Sequence, residues 1–346
     1  MGAVPQTTAT GKVYVLPKLR VVGKTDRGLV RPGNEDYIHL DESNQVFAVC
    51  DGMGGHQAGE IASMTAAETL KAVFTSFAKG MLDDTRLAIG RTLPYSADLI
   101  VKAVRLANRS VGQLAAANAE LSGMGTTIVA VSFEADIASI AHVGDSRAYR
   151  LTDQELEPLT RDHSWVAEMQ RTHQLTESEA NSLVGRNGIT RALGVRDTVE
   201  VDLSIAKVKS GDILVLCSDG LCGYADDDEI FKVARQSKHD IEKLAGDLVQ
   251  MANDRGGADN VSIIAIEILE AHSSPLPEVA AMTFPPETAE QQVAEDFWLG
   301  KFAAERLAPQ EPPAQAPKAP PNKMVLFSIL AVFAIVAVVV IILATK

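Results

Sequence analysis

Four aspartates stand at the ends of apolar runs, each beside glycine or within a glycine turn. Asp51 follows Val46–Cys50 and precedes Gly52-Met53-Gly54-Gly55. Asp219 follows Ile213–Cys217 and precedes Gly220, and Asp145 follows Gly144 between two apolar runs. Asp259 follows Arg255-Gly256-Gly257-Ala258 and precedes Asn260. A fifth acidic group, Glu35-Asp36, closes a polar loop that also carries Arg31. An ionised carboxylate at the inner end of a buried strand is costly unless a cation meets it. Glycine beside it lets backbone approach a ligand and frees a carbonyl to act as one. Carboxylates, carbonyls and water suit hard octahedral ions such as Mg²⁺ and Mn²⁺. No His/Cys cluster has zinc spacing. Two such ions ~3.5–4 Å apart can share a bridging water and make it a nucleophile at neutral pH, the chemistry of phosphoester hydrolysis. Arg31 can hold a phosphate bidentately. Each acid alone reads more simply as a solvated turn residue. Their recurrence at strand ends favours a shared metal centre.

The elements that must position these acids follow from periodicity. Ile38–Leu40 and Val46–Cys50 form a hairpin, after an opening strand over Val13–Gly23 and a polar loop over Thr25–Asp36. A 3.6-residue apolar stripe predicts a helix over Gly59–Lys79, and Pro94, Ser96 and Asp98 open a second over Ala97–Glu120. Thr126–Phe133, Ile137–Val143 and Ala148–Leu151 then read as an antiparallel meander. Asp153–Arg196 is polar and irregular, with a capping box at Thr176–Glu179. Strands over Asp202–Val208 and Asp212–Cys217, helices over Asp226–Gln236 and Asp240–Asp254, and a strand over Asn260–Leu269 complete the head. This segregation predicts α+β with antiparallel sheets.

The chain has 346 residues, 46% of them apolar, with 45 acids against 32 bases and a net charge of −13. Phosphate-backbone binding needs a basic face, so nucleic acid is excluded as the main partner. The three cysteines, Cys50, Cys217 and Cys222, read as reduced core thiols of a cytosolic domain. Residues 271–323 are rich in Pro, Ala, Gln and Glu and read as a spacer, with a short helix conceivable over Ala289–Leu307. Met324–Thr345 carries no charge and is flanked by Lys323 and Lys346. At ~1.5 Å per residue it is long enough to cross a hydrocarbon core of ~30 Å. A single transmembrane helix is expected there, with the head cytoplasmic, because Lys318 and Lys323 lie on the head side.

The chain resembles the protein phosphatase 2C family of metal-dependent serine/threonine phosphatases in its bacterial form. The resemblance rests on Thr25–Asp36, Asp51–His56 with Gly59-Glu60, Gly123–Thr127, His142–Arg147, Ser218–Leu221 and Asp259–Ser262, in family order. It covers residues 19–270, with residues 1–18 as an extension, and implies two packed antiparallel sheets flanked by helices on both sides. It implies that Asp51 bridges two Mn²⁺ or Mg²⁺ ions, that Gly52 gives its carbonyl to one, and that Asp219 and Asp259 hold the other. Glu35 and Asp36 would orient the first ion, Asp145 would belong to a third, weaker site, and Arg31 would bind the phosphate. Residues 153–196 fall where bacterial relatives carry a mobile flap. Many eukaryotic relatives carry histidine two residues after the bridging aspartate, and here that position is Met53. His56 is then a candidate general acid, set against a structural role capping the next helix. The implied substrates are proteins phosphorylated on serine or threonine by a kinase. The competing reading is a non-catalytic phosphoprotein-binding module. Such a module would be expected to lose acids at these positions, and Asp36, Asp51, Asp219 and Asp259 are all present. A third reading, a phosphatase of one anti-sigma-type regulator, usually comes with sensory domains.

Overall fold

The computed structural model describes residues 5–7, 13–55, 57–79, 93–173, 188–273, 279–293 and 299–300. Two compact units divide at Gly300, and the second, Lys301–Lys346, lies outside the described residues. The expected membrane segment Met324–Thr345 therefore lies there too. Among the described residues, no helix is long and apolar enough to cross a membrane.

The chain runs through β1 (Pro5–Thr7), β2 (Val13–Val15), β3 (Lys18–Asp26), β4 (Asp36–Asp41) and β5 (Val46–Met53) to α1 (Gln57–Ala78) and α2 (Tyr95–Ala117). The strands β6 (Gly125–Thr126), β7 (Ile128–Glu134), β8 (Ile137–Val143), β9 (Arg147–Leu151) and β10 (Leu156–Pro158) precede α3 (Trp165–His173). Then come β11 (Val201–Lys207), β12 (Ile213–Cys217), α4 (Asp219–Cys222), α5 (Asp227–Ser237), α6 (Ile241–Asp254), β13 (Val261–Glu270) and β14 (Val279–Phe284). One antiparallel sheet has the order β10-β9-β12-β13-β3, and the other β14-β11-β8-β7-β5-β4, with β6 on the end of β5.

Alternation along the strands makes the layers. Leu214, Leu216, Ile264 and Ile266 of the first sheet pack against Phe47, Val49, Val129, Val131 and Ile140 of the second. The residues between them, Val215, Cys217, Ile263 and Ala265, face Ile230, Ala234, Leu244 and Leu248 of α5 and α6. Both faces of β12 are buried, so its sequence is a continuous apolar run rather than an alternating one. Helices α1 and α2 cover the second sheet. The expected two-sheet α+β sandwich is thus the observed architecture. The three cysteines are free and buried.

Two sequence expectations need correction. The opening strand is broken into β2 and β3, because Leu16-Pro17 interrupts the run and β1 pairs with β2 instead. The spacer does not begin at residue 271. Strand β14 pairs antiparallel with β11, from Val201↔Phe284 onward. Phe284 is buried, and the Glu287 side chain, fully buried, lies 3.6 Å from the Arg105 guanidinium of α2 and accepts a hydrogen bond from Val199 N (3.1 Å). Proline content argued against a packed element, but no proline falls within Val279–Phe284 itself. Breaking a buried ion pair strands the remaining charge. In the full chain, Glu287→Ala should therefore lower the free energy of urea unfolding by about 3 kcal/mol. The exposed Glu290→Ala should change it by less than about 0.5 kcal/mol.

Candidate active site

The acids meet at one end of the sandwich, delivered by strands of both sheets. In the second sheet Asp36 opens β4 and Asp51 lies in β5, directly opposite in register. Asp51 is therefore inside the strand rather than after it. In the first sheet, Asp219 follows β12 and opens α4, while Asp259 lies two residues before β13. Asp145 occupies the turn between β8 and β9.

Glycine is required beside these acids by space. A Cβ on Gly52 would lie 2.1 Å from Gly59 O and 2.6 Å from Glu35 O. One on Gly220 would lie 1.9 Å from Asn260 O. The backbones of β5, α1 and the Glu35 loop are thus in direct contact. The Glu35 carboxylate itself lies over Gly59, in the first turn of α1.

A layer of small polar side chains holds the acids in place. Ser218 Oγ donates to Asp36 Oδ2 (2.8 Å) and accepts from Ser262 N (2.9 Å). Asn260 binds the first loop at three points: its Nδ2 donates to Arg27 O and Gly33 O (both 2.9 Å), and its Oδ1 accepts from Glu35 N (2.8 Å). Thr127 Oγ1 accepts from Asp51 N (3.1 Å) and bonds Ser146 Oγ (2.7 Å), linking Asp51 to the Asp145 turn. Sequence reasoning passed over Ser218, Asn260, Ser262 and Thr127 as site residues. The available signal was a polar side chain set within or beside an apolar strand, where burial demands a partner.

Burial first, and then the neighbouring Asp36 and Asp219 charges, push the Asp51 carboxyl well above its ordinary range. Burial also raises Asp36 to about 7, the charges of Asp219 and Asp259 adding to the effect and hydrogen bonds from Ser262 and Ser218 opposing it. Asp145 rises to about 7, through burial and then Asp219. Asp219 is also raised by burial. Among the described residues, Oδ1 of Asp36 and Oδ1 of Asp219 are buried without a hydrogen-bond partner. Mutually repelling carboxylates with unsatisfied oxygens fit divalent cations. Asp36, Asp51, Asp219 and Asp259 form one cluster, with Asp145 at its edge.

The half-exposed Arg31 belongs to the same cluster. Its Nη2 donates to Asp259 Oδ2 (2.7 Å). Its acidic partner is thus Asp259, just before β13, and not Asp36 of its own loop. His56 lies outside the described residues.

A family model described as Protein phosphatase 2C matches residues 31–261. The chain belongs to this family. It is 34% identical over 247 residues to the serine/threonine phosphatase stp of Listeria monocytogenes, covering 70% of this chain and 94% of that protein. The structure of the Streptococcus agalactiae serine/threonine phosphatase superposes with a TM-score of 0.63 at 34% identity, covering 72% of this chain and all of that one. The catalytic domain of the serine/threonine phosphatase PstP, in complex with two manganese ions, superposes with a TM-score of 0.61 at 32% identity, covering 74% of this chain and 100% of that one. The chain is a metal-dependent serine/threonine phosphatase.

A second acid–imidazole group lies beside the turn that carries Asp145. His142, His163 and Asp202 bring their ligand atoms within 4.8 Å of one another. Arg191 Nη1, however, lies 3.0 Å from Asp202 Oδ1 and 3.3 Å from His163 Nε2, so a guanidinium already supplies the positive charge there. These residues are far apart in sequence, and inspection of spacing missed the group.

The carboxylate cluster makes stability depend on pH with a definite sign. With no cation bound, Asp36 and Asp145 keep their protons in the fold to about 7, whereas unfolded carboxyls ionise near 3.8. Between those values the folded state binds more protons than the unfolded one, so stability falls as pH rises through that window. The melting temperature in chelator should drop from pH 4 to pH 7, and Mn²⁺ at pH 7 should restore it. Asp219→Asn should melt higher than the parent in chelator, gain little from Mn²⁺, and lose turnover.

Proposed function

We propose that the chain is a membrane-tethered Mn²⁺- or Mg²⁺-dependent phosphatase that hydrolyses phosphoserine and phosphothreonine in proteins modified by a serine/threonine kinase. The observation that carries the reading is the convergence of Asp36, Asp51, Asp219 and Asp259 from two sheets, with buried oxygens on Asp36 and Asp219 that have no partner among the described residues. The manganese ions of the related PstP structure support the same choice of metal.

Asp51, Gly52, Asp219 and Asp259 would hold two ions, with Asp36 and Glu35 orienting them and Asp145 contributing to a third, weaker site. When bound, the ions supply a water acidic enough to attack phosphorus at neutral pH. The chain's own residues set the geometry. Arg31 is tethered by Asp259 at one nitrogen, and a guanidinium carries five donors. The others can take two phosphate oxygens and orient phosphorus for in-line displacement. A new P–O bond forms to water, the ester P–O bond breaks, and a proton of the attacking water ends on the serine or threonine oxygen, which leaves as the alcohol. Met53, at the position where many eukaryotic relatives carry histidine, has no titratable proton to offer.

The kinase link rests on the substrate chemistry. The tether rests on the uncharged stretch Met324–Thr345. Hydrolysis of a phosphothreonine peptide by the full chain, with Mn²⁺ and with chelator, tests the activity. Arg31→Ala should lower kcat/KM for that peptide by about 10-fold or more, mainly through KM, because a charge-assisted bidentate contact contributes at least ~1.4 kcal/mol. An unchanged kcat/KM would remove Arg31 from phosphate binding. The full chain should resist carbonate extraction from membranes, and recovery in the carbonate supernatant would reject the tether.

A further inference from the structure

We propose that His163 is a positioning residue that holds the Asp145 turn, through an unprotonated Nδ1 whose tautomer is set by Asp202. The first observation is a two-point clamp. His163 N donates to Gly144 O (2.9 Å), and Gly144 N donates to His163 Nδ1 (3.1 Å). Both contacts fall on the residue immediately before Asp145. A backbone N–H can only donate, so Nδ1 must be the bare nitrogen of a neutral ring. The proton then lies on Nε2, which faces Asp202 Oδ2 at 3.2 Å, and Arg191 Nη1, 3.3 Å from Nε2, can only donate and so gives its hydrogen bond to Asp202 rather than to the ring. Asp202 thereby selects the tautomer that can accept from Gly144.

The surroundings hold that assignment. Asp202 is opposite His142 in the β11–β8 register and opposite Thr283 in the β11–β14 register. Arg191 Nη1 donates to Asp202 Oδ1, keeping the carboxylate charged and turned toward the ring. The His142 ring stacks on His163 with centroids 4.7 Å apart, and His142 Nε2 bonds Arg161 O (2.8 Å), so the imidazole plane is fixed on that side. Burial lowers His142 to about 4, which keeps it neutral against its neighbour.

The residue before His163 clamps the other side of the same turn. Asp162 accepts two hydrogen bonds from Arg147, from Nε (2.7 Å) and Nη2 (2.8 Å). Asp162 and His163 therefore bracket Gly144–Arg147 from both ends. They also lie within the stem of the segment expected to form the flap, whose returning backbone is tied back at Thr190 N to His163 O (2.7 Å). His163 thus joins the stem of that segment to the turn that carries Asp145. Gly144 has φ +114° and no other residue type fits there easily, so the turn itself has little means of adjusting.

The proposal deepens the assignment of Asp145 to a weak third metal site and rests on it only for its effect on metal binding. Two variants separate positioning from bulk. Asn places an acceptor near Nδ1 and should keep the Gly144 bond, whereas Gln reaches toward Asp202 and leaves Gly144 N without its acceptor. Three measurements on the full chain decide. In ¹⁵N NMR at pH 8, the ring resonance lost in His163→Asn should report a bare Nδ1 and a protonated Nε2. Hydrogen exchange at the Gly144 amide should accelerate about 10-fold or more in His163→Gln and stay within about three-fold in His163→Asn. Calorimetric titration with Mn²⁺ should show the weak class of sites weakened about 10-fold in His163→Gln and kept in His163→Asn, with the tight class unchanged in both. A protonated Nδ1, or equal exchange in the two variants, overturns the positioning role. Asp145→Asn is the control for the metal assignment. If the weak class survives that change, the third-site reading fails alone, and the ring tautomer and amide exchange still decide the role of His163. Should His163→Gln not fold, the parent tautomer and His163→Asn exchange remain as the test.

Discussion

Four aspartates are forced together at one end of the sandwich, and most of the local architecture exists to bear that repulsion. Two unit charges ~4 Å apart interact by ~4 kcal/mol at an effective dielectric near 20. Asp36, Asp51, Asp219 and Asp145 show it in the direction of their shifts, since each is pushed upward by burial and by other carboxylates. No flexible loop would hold such a group against its own field. Asp36 and Asp51 lie on paired strands, and Asp219 and Asp259 flank two more. Leu214, Leu216, Ile264 and Ile266 lock those strands against Phe47, Val49 and Val131 across the inter-sheet core. The apolar layer is thus the part of the molecule that makes the charged end possible.

Between the core and the acids lies a thin shell of hydroxyls and amides. Ser218, Ser262, Asn260 and Thr127 satisfy backbone groups and aim carboxylates at once. Asn260 uses both Nδ2 and Oδ1 to bind three backbone points of the Arg27–Glu35 loop. That loop carries Arg31, and Leu29, Val30, Pro32 and Gly33 beside it are exposed. The glycines beside the acids complete the shell by letting backbones meet at distances a Cβ would forbid. Each carboxylate therefore has a side fixed by the protein and a side left for a cation.

Residues 279–287 are part of the same framework. Strand β14 completes the second sheet, and Glu287 fastens α2 to Val199, just after the return of the irregular insert. The insert is thus anchored at Asp162 and His163 on one side and through β6, α2 and Glu287 on the other. Catalytic geometry and insert geometry share the same attachment points.

Much of the molecule was legible in the sequence because periodicity and composition are local properties. The strands β5, β7, β8, β12 and β13, the long helices, the two-sheet α+β architecture and the acids beside glycine follow from residue order alone. The pairing of acids across sheets does not. Arg31 lies five residues from Asp36, yet its acidic partner is Asp259, 228 residues away. Nothing in the spacing of His142, His163 and Asp202 announces that β8, the insert stem and β11 meet. Strand β14 was hidden because proline on both sides of a short run outweighs a weak apolar pattern, and only the free edge of β11 decides that it pairs. The sequence by itself determined which residue types were available and which elements carried them. The tertiary structure alone decided which of them face each other, because burial and electrostatics act through distance in space, and register between strands sets that distance.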